Sequence, residues 1–153
     1  TEERKVREQV MGYKHPVSVL VVIFARDTGR VLMLQRRDDE SFWQSVTGSL
    51  EAGETPRQAA QREVCEELEI DVAGEQLVLD DCHKHIEFEI FPHYRHRYAP
   101  GTTHNREHWF RLALPQERLP QLTEHLAARW LEPAAAAALT KSWSNRQAIE
   151  EFT

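Results

Sequence analysis

The stretch from residue 55 to residue 68 constrains the chain most, because it can be little other than a helix laid on an apolar surface. Thr55-Pro56-Arg57-Gln58 supplies a capping threonine, a proline at the first helical position and a glutamine three residues after the cap. Together these satisfy the free N–H groups of a helix start. Ala60, Val64 and Leu68 follow at the spacing of one helix face and form an apolar stripe. Beside that stripe, Glu63, Glu66 and Glu67 are related by i, i+3 and i, i+4, so their carboxylates share one side of the helix.

A sheet is the surface on offer. Residues 17–25 are β-branched or apolar almost throughout and read as a buried strand. Asp27-Thr28-Gly29-Arg30 is a turn, after which residues 31–35 resume as a second strand. Residues 43–47 form a short third strand that ends at Gly48. Residues 86–91, 109–114 and 129–131 carry further strand patterns. A helix is expected over residues 133–139. Ser144-Asn145-Arg146-Gln147 repeats the cap-and-glutamine pattern ahead of a last helix. Strands interleaved with helices predict an α/β fold, a mixed sheet sandwiched by helices.

Length and charge bound the function. A chain of 153 residues fits one domain. We expect that domain over residues 13–153, after a poorly ordered N-terminal extension over 1–12. The formal net charge of −6 disfavours a binder of long nucleic acid, but not a small phosphorylated substrate whose charge divalent cations offset. Cys65 and Cys82 form no C-x-x-C pair, which argues against a disulfide framework or a structural zinc site and favours the cytoplasm. No apolar run is long enough to span a bilayer, and residues 1–9 are charged rather than leader-like. The sequence points to no membrane and to no protein partner.

The glutamates carry the chemistry. Like charges at i, i+4 cost roughly 0.2–0.5 kcal/mol each on an exposed helix, and partial burial raises that unless a cation intervenes. Hard oxygen ligands of this kind suit Mg²⁺ or Mn²⁺, with a substrate's phosphates completing the shell. Taken alone, the three glutamates also fit a solvated helix face.

The full segment decides between these readings. It runs Gly48-x5-Glu54-x7-Arg62-Glu63-Val64-x-Glu66-Glu67-x-Glu69-Ile70 and resembles the Nudix box. The resemblance implies an α/β/α sandwich of the Nudix fold and hydrolysis of a phosphoanhydride assisted by Mg²⁺, for which Mn²⁺ can substitute. It makes Glu63 and Glu67 the chief metal ligands and Glu66 a further ligand or a base. Gly48, Glu54 and Arg62 become groups that shape the loop and orient the glutamates. Glu69 departs from the pattern, standing where the family has a glycine to end the helix.

Segments beyond the box, among them residues 35–39, 42–49, 88–91, 96–101, 123–125 and 138–150, resemble the branch of the family that releases pyrophosphate from dihydroneopterin triphosphate in folate biosynthesis. On that resemblance Lys14, Arg36, Thr47 and Ser142 contact the small-molecule triphosphate. Phe88 belongs to the substrate site, and Glu124 returns a carboxylate to the metals as ligand or base. Phe91, Tyr94, Tyr98 and Trp43 are further aromatic candidates for stacking on a flat ring. His93, His96, His104 and His108, with Arg95, Arg97 and Arg106, fit no zinc spacing and suggest a mobile basic rim. Two alternatives stay open: a broader (deoxy)nucleoside triphosphate pyrophosphatase, and a non-catalytic domain that senses a nucleotide-like ligand.

Overall fold

Strand β1 (Val17–Ala25) is apolar at nearly every position because both of its faces are covered. Val19, Val21 and Ile23 pack with Ala59, Ala60, Val64 and Leu68 of helix α1 (Pro56–Leu68). Leu20 and Val22 point the other way, into a second cluster with Ala136 and Ala137 of α2 (Pro133–Leu139) and Ala148 and Ile149 of α3 (Trp143–Phe152). The alternation of a single strand thus defines an α/β/α sandwich. The computed structural model describes residues 12–153, so the extension expected over 1–12 lies, apart from Gly12, outside the described residues.

The sheet is mixed. On one side β1 runs parallel to β6 (His104–Leu114), which pairs antiparallel with β5 (Val78–Glu89). On its other side β1 meets β4 (Val46–Ser49) from Ser18 to Val21 and then β2 (Val31–Arg36) at Phe24. β2 carries β3 (Trp43–Gln44) and β7 (His125–Leu131), both antiparallel. Among the described residues no helix is long and apolar enough to cross a membrane.

Several elements differ from the sequence expectation. The strand expected over 43–47 is two strands, because the chain changes partner at Ser45. There the Ser45 N–H donates to Asn145 Oδ1 at 2.8 Å, and Asn145 Nδ2 donates to Ser45 Oγ at 3.0 Å. The last helix begins earlier than expected: Ser142, not Ser144, is its cap, accepting from the Asn145 N–H at 3.1 Å. β5 starts eight residues before residue 86, the strand start expected, at Val78. Its polar first half is interrupted by a register shift between Asp81 and His85, which hid the period of two.

Helix α1 has the predicted capping box, with Gln58 N–H on Thr55 Oγ1 at 3.2 Å and the Gln58 side chain on the Thr55 N–H at 2.9 Å. It ends at Glu69 in the left-handed conformation, with φ at 55°. The helix therefore stops where a glycine would stop it, at a conformational cost of about 1–2 kcal/mol. Glu69→Gly is expected to stabilise the protein by about 1 kcal/mol and raise Tm by about 3 °C, since part of the gain is offset by glycine's greater freedom when unfolded. Thermal melting checks this; a fall in Tm would mean that Glu69 makes a contact worth more than its strain.

Candidate active site

Three carboxylates from two distant segments converge at the end of α1. Glu63, Glu67 and Glu124 each offer an oxygen, and these atoms lie within 4.8 Å of one another. Glu67 is 1% exposed and Glu63 8%, whereas Glu124 is open to solvent. The 124 loop is brought there by Thr123, whose hydroxyl donates to the Glu66 carbonyl and whose N–H donates to the Glu67 carbonyl at 3.4 Å. Those carbonyls belong to the last turn of α1, where main-chain acceptors have no partner within the helix. Thr123 and Glu66 are 57 residues apart in sequence, so the contact was invisible to spacing.

Arg62 organises the acidic side of this cluster. Its Nε and Nη2 fork onto the Glu54 carboxylate at 2.8 and 2.9 Å, and Nη2 also donates to the Ser49 carbonyl at 2.9 Å. Nη1 reaches Glu63 at 2.7 Å and Glu66 at 3.2 Å. Glu54 in turn accepts from the Glu51 N–H at 2.9 Å. The loop before α1 and the first glutamate are thereby fixed to one guanidinium. Gly48 is held by sterics: a Cβ there would lie 2.1 Å from the Glu63 carboxyl carbon.

The structure brings Glu66 to the edge of this arrangement but not into the trio. Its side chain is exposed and engaged with Arg62. Burial pushes the Glu63 carboxyl above its ordinary range, although the bonds from Glu67 and Arg62 pull the other way. Burial pushes Glu67 much further, and the hydrogen bond with Glu63 and the charges of Glu63, Glu124 and Glu66 add to it. Glu67 Oε2 is buried without a hydrogen-bond partner. Oxygens this crowded and this dry ionise together only beside a cation, so the residues present fit a hard divalent ion. His125 stands 3.6 Å from Glu67 and is held neutral, its pKa lowered to about 4 by burial and then by Arg36 and Arg37.

Two hollows meet over the trio. One, of about 340 Å³, is walled by Arg62, Glu63, Glu66 and Glu124. The other, of about 370 Å³, is lined from β4, from Arg36 at the end of β2 and from Ser142 and Asn145 at the start of α3. Lys14, Thr47, Gly48, Ser49 and Glu124 line both. Lys14, Arg36, Arg37 and Arg97 bring four cationic groups to the larger cleft, whose lining also holds Asp38, Glu67, Glu107 and Glu124. Burial, then Arg97 and Arg36, lowers the Lys14 pKa, a repulsion that an anion would relieve. Arg36 forks onto Asp38 at 2.7 and 2.6 Å and lies over the rings of Phe42 and Tyr94. Phe88 is half-buried in the cleft wall, and Phe91, Tyr94 and Tyr98 line it too.

Ser142 also lines the cleft, with its hydroxyl already serving as the α3 cap. Trp43 does not line either hollow; it packs against the α2–α3 cluster with Arg129 over its ring. Of the basic and histidine residues expected as a rim, only Arg97 lines the larger cleft. Gln44, Asn105, Glu107 and Asn145 are cleft residues that the sequence reading missed. Asn105 and Glu107 keep the inward parity of Trp109, four and two residues before it, but as polar residues they carry no apolar alternation that would have marked it.

The sequence matches the NUDIX domain over residues 14–152. It is 71% identical over 140 residues to the dihydroneopterin triphosphate diphosphatase of Escherichia coli, covering 92% of this chain and 93% of that protein. It is 50% identical over 143 residues to the protein of the same name from Haemophilus influenzae, covering 94% and 90%. The solved structure of the E. coli dihydroneopterin triphosphate pyrophosphohydrolase superposes with a TM-score of 0.90, at 71% identity over 92% of this chain and 96% of that one.

Proposed function

Because the chain belongs to the Nudix family, we propose that it hydrolyses dihydroneopterin triphosphate to dihydroneopterin monophosphate and pyrophosphate. The observation that carries this is the meeting of the Glu63–Glu67–Glu124 trio with an aromatic-walled cleft that also presents Lys14, Arg36, Arg37 and Arg97, in a chain 71% identical to an enzyme of that name.

Glu63, Glu67 and Glu124 are the residues that would hold a divalent ion, with Mg²⁺ the proposed ion and Mn²⁺ its substitute. When bound, such an ion supplies positive charge against the phosphates and makes a nearby water more acidic. Glu124, solvent-facing and next to the buried pair, accepts the water's proton as it attacks phosphorus. Glu66 is the other candidate base, and Arg62 holds it at the rim of the smaller hollow. Lys14, Arg36 and Arg97 bind the triphosphate and offset charge on the bridging oxygen between the α- and β-phosphates. Thr47 and Ser142 offer hydroxyls, and Phe88 a ring, to the same cleft. The cytoplasm is the proposed compartment, on the strength of two free cysteines, Cys65 and Cys82.

Purified protein with Mg²⁺ is offered dihydroneopterin triphosphate beside a panel of nucleoside triphosphates, with products resolved. The pterin substrate is expected to turn over fastest and to yield pyrophosphate. Faster nucleotide turnover would reassign the enzyme to general nucleotide pyrophosphatases. Exhaustive chelation is expected to abolish activity, Mg²⁺ or Mn²⁺ to restore it and Ca²⁺ to restore it poorly, because Ca²⁺ takes longer bonds and looser coordination. Full activity after chelation would end the metal-assisted scheme.

A further inference from the structure

The cleft holds a buried acid that hydrolysis leaves without a task. Glu107 is 5% exposed and lines the cleft with Asn105, Ser18, Leu20 and Phe88. No salt bridge reaches it among the described residues. Its partners are the Trp109 indole N–H, 3.0 Å from Oε1, and the Ser144 hydroxyl. With only neutral donors around it, burial pushes its pKa up to about 7. Asn105 donates Nδ2 to Ser18 Oγ at 2.6 Å, which leaves its buried Oδ1 without a partner.

Buried carboxylates and amides without full partners are rare, because each unmet acceptor costs roughly 1–3 kcal/mol. Here the unmet Asn105 Oδ1 and a Glu107 carboxylate with lone pairs beyond its two donors stand on one strand, two residues apart, so both face the cleft. Phe88 pairs with Asn105 across β5 and β6, which sets an aromatic side chain on the same wall. A ligand that satisfies this wall is flat and presents N–H donors rather than acceptors.

We propose that Glu107 and Asn105 read the ring of the substrate. The Glu107 carboxylate accepts the parallel N–H pair on the 2-amino-4-oxo edge of a pterin, Asn105 Oδ1 takes a further N–H, and Phe88 lies against the ring. This rests on the assignment of dihydroneopterin triphosphate as substrate and names what selects it. An N–C–N donor pair meets a carboxylate in two parallel, charge-assisted bonds, as a guanidinium does. Guanine carries the same pair, whereas adenine presents an acceptor in its middle and leaves the acid unmatched.

The test measures kcat/KM for dihydroneopterin triphosphate, dGTP and dATP with the wild-type chain, Glu107→Gln and Asn105→Ala, beside Tm and titration of neopterin fluorescence. Glu107→Gln keeps an acceptor for the Trp109 indole and is expected to melt near wild type. It should lower the preference for dihydroneopterin triphosphate over dATP about 10²-fold and weaken neopterin binding. Asn105→Ala should move the same ratio the same way by a smaller factor. If Glu107 only braces Trp109 and Ser144, all substrates fall together with Tm at a fixed ratio, and the proposal is overturned. If wild type hydrolyses purine triphosphates and not the pterin, the substrate assignment falls separately. The ring reading then stands or falls on whether Glu107→Gln changes the dGTP to dATP ratio.

Discussion

Glu67→Ala and Glu63→Ala are each expected to remove nearly all turnover while the fold survives. Each deletes an oxygen from a trio whose ligand atoms lie within 4.8 Å of one another. Positive charge at the phosphates is worth several kcal/mol of transition-state stabilisation, so a loss on the order of 10³-fold or more follows if the site no longer binds its ion. Stability should respond differently. Without metal, Glu67 is a buried acid pushed well above its ordinary pKa by desolvation and by its acidic neighbours, so removing either carboxylate relieves crowding. Rates with Mg²⁺ are compared with Tm measured in chelator. Near-normal turnover in either variant removes that residue from the site, and a collapse of Tm would mean that the carboxylate is part of the packing instead.

The Glu63 and Glu67 pair was legible because helical geometry is local: a cap at Thr55 fixes the phase, and i, i+4 does the rest. Gly48 was legible only as a motif position, and its reason is a steric one, the Glu63 carboxylate passing where a Cβ would sit. The sheet was harder to read where the site itself interrupts the pattern. The start of β6 places Asn105 and Glu107 on the inner wall, with His104 and Arg106 outside, so no polar–apolar alternation marks it. A strand that lines a binding cleft trades its hydrophobic signature for chemistry, and those two residues went unread for that reason. Ser45 shows the other limit. Its change of strand partner depends on Asn145, 100 residues away, a contact no local rule anticipates.

The same long-range dependence makes Glu124 the most informative residue to change. Its place beside Glu67 rests on two hydrogen bonds from Thr123 to the final turn of α1 and on the pairing of His125, at the start of β7, with Arg36. If Glu124 ligates the ion or accepts the water's proton, Glu124→Gln should lower kcat by roughly 10²–10⁴-fold. KM should change far less, because the carboxamide keeps the shape while losing charge and basicity, and Lys14, Arg36 and Arg97, the cleft residues proposed to hold the phosphates, are untouched. An exposed loop glutamate with no role would leave both constants near wild type. The loop's anchor supplies an independent check: Thr123→Val removes the side-chain bond to the Glu66 carbonyl without touching any carboxylate. It should lower kcat in the same direction by a smaller factor, since Glu124 is then presented for less of the time. Loss in Glu124→Gln with none in Thr123→Val would keep the acid in the site and discard the tether. Wild-type rates in both would leave the buried pair, with Glu66, as the whole of the acidic machinery.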